Sequence, residues 1–200
     1  MNTNNHITPF WRYGLLIVLL MLTTCVSATA EGPARMAVKG VDGKTYRPLD
    51  IRSKKAAVLF FIAHDCPIAN SYAPEIGRIC RQFEPQGFAF YTVYVEQDLP
   101  AAAARAHARA FRLTCPGLLD PQHRLVKFAG ATITPEAAVI SPEGKVLYHG
   151  RIDNLWASIS VRRAMPTTHE LKDALNAIAR HAPVAHVSAP SVGCFIPTLS

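Results

Sequence analysis

The sequence predicts an α/β sandwich, a central mixed β-sheet flanked by helices, and three observations carry that expectation. Ala56 to Ala63 is an apolar run bounded by Lys54-Lys55 and His64-Asp65. Its length suits a strand, and its unbroken apolarity suits one buried on both faces. Downstream, short apolar runs alternate with helical stretches, the pattern of a sheet with helices packed on it. Ile133 to Ile140 and Lys145 to Ile152 then flank the turn Ser141-Pro142-Glu143-Gly144, so an antiparallel hairpin joins the parallel strands.

Each element follows from local chemistry. Residues 1–30 carry Arg12, an apolar run from Tyr13 to Leu22 and the small-residue site Ala28-Thr29-Ala30, which together read as a secretory signal peptide. The run is short for a transmembrane helix; an uncleaved anchor and lipid attachment at Cys25 are the alternatives, the only routes to a membrane. The remaining chain fits one domain, 31–181, followed by a tail, 182–200. Met36 to Val41 and Lys44 to Tyr46 flank Asp42-Gly43, a hairpin signal. After the Ala56–Ala63 strand, Pro67 suits the first position of a helix, and Ile68, Tyr72, Ile76, Ile79, Cys80 and Phe83 recur on one helical face. Phe88 to Val95 is a second buried strand. Leu99 to Leu113 is alanine-rich and helical. Pro116 to Asp120 gives a short strand and His123 to Ala129 a short helix. Thr167-Thr168-His169-Glu170 has the capping-box pattern and opens a helix to about Arg180. Ala182 to Ser200 holds three prolines and reads as a tail laid on the surface or left mobile.

Cys66 stands where the buried strand meets the helix opened by Pro67. A cysteine there feels the positive end of the helix dipole, which favours the thiolate, the nucleophilic form. The alternative is a buried structural cysteine. Asp65 should raise the thiol pKa and a protonated His64 lower it.

Phe61-x-Ala63-x-x-Cys66, with Ala73-Pro74 beyond it, resembles the active-site strand and proline-kinked first helix of thioredoxins. Thr134-Pro135-Glu136-Ala137-Ala138-Val139-Ile140 is similar to the cis-proline strand of the same superfamily. The resemblance covers roughly Arg35 to His181 and implies a thioredoxin-like three-layer sandwich. More narrowly, Asp65-Cys66-Pro67-Ile68-Ala69-Asn70, Gly150-Arg151-Ile152-Asp153 and Val192-Gly193-Cys194-Phe195-Ile196 resemble secreted bacterial redoxin-domain proteins. It implies catalytic roles for Cys66 and Pro135, with Thr134 offering backbone hydrogen bonds to a bound chain, and protein dithiols or disulfides as partners in a secreted or periplasmic setting.

The departures from those families are informative. Ala69 stands where a dithiol thioredoxin has its second cysteine, and Phe60 where it has a buried acid. Relative to peroxiredoxins, Ala63 and Leu59 replace the threonine or serine and the proline before the nucleophile, and Pro135 replaces an arginine. Without hydroxyl and guanidinium donors the peroxide O–O bond gains little transition-state stabilisation, so a thiol peroxidase is the lesser alternative.

The other cysteines divide by position. A continuous helix would put Cys80 about 21 Å from Cys66, beyond disulfide reach. Cys80 and Cys115 are expected at the pole away from Cys66, as a structural disulfide or as two separate buried thiols. Cys194 is then left to resolve Cys66, unless it is a free or intermolecular cysteine.

Basic residues outnumber acidic ones, for a net charge of +7, but they are scattered, which argues against nucleic-acid binding. The eight histidines form no i, i+4 pair of the zinc-binding kind, and copper delivery lacks paired cysteines. No metal and no cofactor is expected. Arg151, Asp153, Asn154, Arg162 and Arg163 are expected to fix the connection before the last helix by ion pairing, docking of an acidic partner being the alternative, and His169 to belong to that helix's start. The function read from the sequence is thiol–disulfide oxidoreduction through Cys66, with a non-enzymatic redox-fold binding module as the other alternative.

Overall fold

The computed structural model describes Met1, residues 33–185 and residues 188–199; the expected signal peptide, Met1 apart, and Cys25 lie outside the described residues. Contacts divide the chain into Met1–Ala30 and Glu31–Ser200, and the described strands and helices all lie in the second unit. The hairpin at Asp42-Gly43 is present as β1 (Val38–Gly40) and β2 (Thr45–Tyr46). All seven residues of β3 (Ala56–Ile62) are buried. Ala56, Val58, Phe60 and Ile62 enter one core, and Ala57, Leu59 and Phe61 the other, as the two-residue period of a strand requires.

The helix expected from Pro67 to Phe83 is two helices, α1 (Pro67–Ser71) and α2 (Ala73–Phe83). Pro74 has no N–H to give back to Asn70, and its ring crowds that turn, so the chain breaks at Tyr72. Next come β4 (Phe88–Tyr94) and α3 (Ala101–Ala110). The latter is shorter than Leu99–Leu113, because Pro100 stands before it and Arg112 takes a left-handed φ of 54°. β5 (Gly117–Leu119) leads to α4 (Arg124–Ala129). The Asp120 carboxylate accepts the N–H groups of Arg124, Leu125 and Val126 and so starts that helix.

The strand expected over Ile133–Ile140 divides at the cis Thr134–Pro135 bond into β6 (Ile133–Thr134) and β7 (Glu136–Ile140). β8 (Val146–Gly150) follows, then a small hairpin of β9 (Trp156–Ser158) and β10 (Val161–Arg162). α5 (Glu170–Ala179) starts at His169, but Thr167 makes no cap bond. Asn154 Oδ1 instead accepts the N–H groups of Thr167 and Thr168 at 2.8 and 3.1 Å. Asn154 O accepts from Arg163, and Arg151 pairs with Glu170, so Arg151, Asn154 and Arg163 pin the connection, with Arg151 the one that does so by an ion pair. The tail is not merely laid on the surface: β11 (Ser188–Ala189) pairs parallel with β8, and β12 (Cys194–Phe195) antiparallel with β6.

The main sheet runs β11-β8-β7-β3-β4-β5-β1-β2. It is mixed, since β3, β4 and β5 are parallel and β7 runs against β3. Ile76, Ile79 and Phe83 of α2 and Leu171 and Leu175 of α5 fill one core, and Leu125 and Val126 of α4 the other. This is the three-layer, thioredoxin-like arrangement the sequence predicts. Each large apolar side chain so buried stabilises the fold by roughly 1.5–3 kcal/mol. Register pairs Ile62 with Tyr94 and Phe61 with Glu136, so the ends of β3 and β4 and the start of β7 meet at one pole. Among the described residues no helix is long and apolar enough to cross a membrane.

Candidate functional site

Cys66 lies at that pole, in the turn that follows β3, and is the N-cap residue of α1 with Pro67 at its first position. Its Sγ accepts the Ala69 N–H at 3.5 Å and donates to the Thr134 carbonyl at 3.3 Å. Only 1% of Cys66 is exposed. Thr134 and Pro135 are buried beside it, so the cis-proline strand and the cysteine meet as the sequence motifs imply.

The tail completes the site. Cys194 is the register partner of Thr134, and Thr134 Oγ1 donates to the Cys194 carbonyl at 3.4 Å. Cys66 and Cys194 are the free cysteines of the described residues. The Cys194 thiol is pushed up to about 12 by burial first, then by its hydrogen bond to the Cys66 sulfur and that sulfur's charge, and by Asp65. Cys194 is therefore protonated at neutral pH. Cys80 and Cys115 form a disulfide, 2.21 Å between sulfurs; Cys115 is not at the opposite pole as expected, because β5 begins beside Thr92, part-way along β4.

A groove of about 740 Å³ opens beside the pair, lined among others by His64, Asp65, Glu96, Asp98, Cys194 and Phe195. Nothing in the residue pattern announces it. Glu96 Oε1 accepts from both the backbone N–H of His64 at 2.5 Å and its ring Nδ1 at 2.7 Å. Asn70 donates to His64 O, and its own Oδ1 pairs with His107 Nε2 at 2.7 Å. Burial, then the nearby His64, holds the His107 imidazole below its ordinary value. The site thus has a carboxylate–imidazole pair at the strand ends, while Phe60 stays buried and apolar. His64, Asp65 and Glu96 are the described residues whose ligand atoms cluster, within 4.8 Å of one another. Glu96 Oε1 already takes two donors from His64, however, and a metal on Nδ1 would displace the proton that makes the pair. The group is a hydrogen-bonded carboxylate–imidazole pair.

Two further contacts hold the site in place. Tyr72 OH donates to Asp153 Oδ1 at 2.8 Å, tying the helix break to the connection after β8. Buried Glu136 accepts the N–H groups of Thr132 and Ile133 at 2.8 and 3.3 Å and faces His149 Nε2 at 3.1 Å. That carboxylate fixes the chain leading into Thr134. Glu96 and Glu136 both escape sequence reasoning; the β3–β4 register, had it been known, would have set Glu96 opposite His64.

A family model described as the AhpC/TSA family matches residues 31–149. Among solved structures, an uncharacterized conserved protein from Geobacillus kaustophilus is 25% identical with a TM-score of 0.71, over 82% of this chain and 88% of its own. A hypothetical protein from Sinorhizobium meliloti is 19% identical with a TM-score of 0.72, over 82% and 91%. A secreted disulfide oxidoreductase from Mycobacterium tuberculosis is 15% identical with a TM-score of 0.52, over 72% and 97%. The latter two similarities bear on fold alone. No curated protein matches the sequence.

Proposed function

The chain belongs to the AhpC/TSA family, a redoxin family, and from that premise we propose that it is an exported thiol–disulfide oxidoreductase in which Cys66 is the nucleophile and Cys194 the resolving cysteine. The observation that carries this reading is the meeting of the two free thiols at Thr134, while Cys80 and Cys115 are bonded to each other. The Cys66 thiolate attacks a partner disulfide; one partner sulfur leaves and the other stays bonded to Cys66. Cys194 then loses its proton and attacks the Cys66 sulfur, and the second partner thiolate departs. The Cys66–Cys194 disulfide that results needs an external dithiol to reset it. The Ala69 N–H and the start of α1 face Cys66 Sγ and stabilise negative charge there as it forms and departs. Export rests on residues 1–30, and protein dithiols or disulfides are the partners proposed.

A thiol peroxidase is the second reading, and family membership favours it. Against it, the sulfur of Cys66 is met by a backbone N–H and a carbonyl, and Ala63 and Pro135 offer no donor to a peroxide. The test of the first reading is dithiol-dependent reduction of a model disulfide. Cys66→Ser is expected to bring it to background, and an unchanged rate would overturn the proposal.

A further inference from the structure

A nucleophile that attacks a partner must be reachable, yet Cys66 is 1% exposed. Its sulfur meets the Ala69 N–H of α1 and the Thr134 carbonyl. The tail reaches it as well: Cys194 hydrogen-bonds the Cys66 sulfur, and Val192 and Cys194 pack against the core to which Cys66 belongs. The tail is held there by few bonds. β12 pairs through Cys194 with Thr134 and Phe195 with Ile133, and the Ile196 N–H donates to Thr132 O at 2.9 Å. Phe195 is 80% exposed, so its ring adds little hold. Each such backbone bond shifts the closed-to-open ratio by a factor of a few to about ten.

What lets the tail come so close is Gly193. A Cβ at this position would stand 2.0 Å from Thr134 O, 2.7 Å from Thr134 C and 3.0 Å from Ile133 Cγ2. The first two are backbone atoms and cannot swing aside. Gly193 is not one of the glycines with positive φ, so the position demands room rather than a left-handed turn. Any side chain here must lift the tail from β6.

Resting on the reading of Cys66 and Cys194 given above, we propose that Gly193 is the positioning residue of the redox pair: by seating the tail against Thr134 it sets Cys194 on Cys66 and, in the same act, closes Cys66 to solvent. Two consequences of opposite sign follow. Lifting the tail exposes the nucleophile, and it also slows the step that resolves it. In that step the Cys194 proton goes to solvent, an S–S bond forms between Cys194 and Cys66, and the Cys66–partner bond breaks. The electron pair leaves with the partner thiolate, which is then protonated.

The experiment compares the wild-type full chain with Gly193→Ala and with a chain ending at Val192. Iodoacetamide labelling of Cys66, read by peptide mass spectrometry, measures access. Oxidised glutathione as the disulfide probe measures resolution, since the first glutathione thiol is released by Cys66 attack and the second only by Cys194. Gly193→Ala is expected to speed Cys66 labelling on the order of tenfold, as expected for the loss of one or two backbone bonds, and to slow second release by a similar factor. The shortened chain should label at least as fast and release no second thiol. The urea midpoint of Gly193→Ala should fall by no more than that tenfold shift represents, about 1.4 kcal/mol, whereas a merely structural glycine would lower it without moving labelling and second release in opposite directions. Unchanged labelling and unchanged second release in Gly193→Ala would overturn the inference while leaving a reactive Cys66 intact. A Cys66 that neither labels nor takes glutathione even in the shortened chain would overturn the parent reading, and this one with it.

Discussion

Glu136 offers the sharpest test of how the fold holds the site. Its side chain is 5% exposed, faces His149 Nε2 at 3.1 Å and accepts the N–H groups of Thr132 and Ile133. Glu136→Ala removes the acceptor for both N–H groups and leaves His149, itself largely buried, without its partner. Breaking a buried pair from one side costs about 3–5 kcal/mol. At roughly 2–4 °C per kcal/mol for a chain of this size, Tm should fall by on the order of 10 °C. Glu136→Gln keeps an oxygen for the two N–H groups and loses the charge, so it should fall between. The sign of the pH dependence is set by the carboxylate. Burial raises its pKa, but His149 and the two N–H donors lower it more, and the folded value lies below the ordinary 4.5. The charged form's contribution is therefore fully present above 4.5 and is lost as pH falls through the lower folded value. Urea unfolding should show the wild-type advantage over Glu136→Ala in full near about pH 7 and reduced near about pH 3. A loss under about 1 kcal/mol, the size of an ordinary surface substitution, would show that Glu136 does not hold the chain into Thr134. A gap that does not change with pH would remove the role of its charge.

Two further outcomes are expected. The Cys80–Cys115 disulfide closes a segment of 35 residues, so the double Cys→Ala variant should lose about 4 kcal/mol by loop-closure entropy, measured as a lower urea midpoint; an unchanged midpoint would mean the bond constrains nothing. Reduced protein mixed with hydrogen peroxide in stopped flow should lose its Cys66 thiol no faster than a free thiol, because Ala63 and Pro135 supply no donor; rapid loss would promote the peroxidase reading.

The central strand was legible because all seven residues of β3 are apolar and both its faces are covered, so composition alone reports its place. Cys66 was legible through Pro67, which marks a helix start wherever it is tolerated. Pro74 carried the break in the first helix, yet the apolar spacing on either side of it reads as one uninterrupted face. The tail strands were not legible. Two residues show no period, and their order comes from partners distant in the chain: Thr134 for β12, and Gly150 for β11, where a Cβ would meet Ala189 O at 2.1 Å. Glu96 escaped for a related reason. An acid after a strand looks ordinary until the parallel register sets it beside His64.

If Cys66 and Cys194 are redox partners while Cys80 and Cys115 are structural, the two pairs must differ in how readily they open. Peptide mapping of the protein, oxidised mildly and then exposed to graded dithiol, reads that difference without any substitution. Two linked peptides are expected, Cys66–Cys194 opening first under mild dithiol and Cys80–Cys115 persisting until the chain unfolds. A Cys66–Cys115 peptide, or a Cys66 thiol that never enters a disulfide, would contradict the assignment.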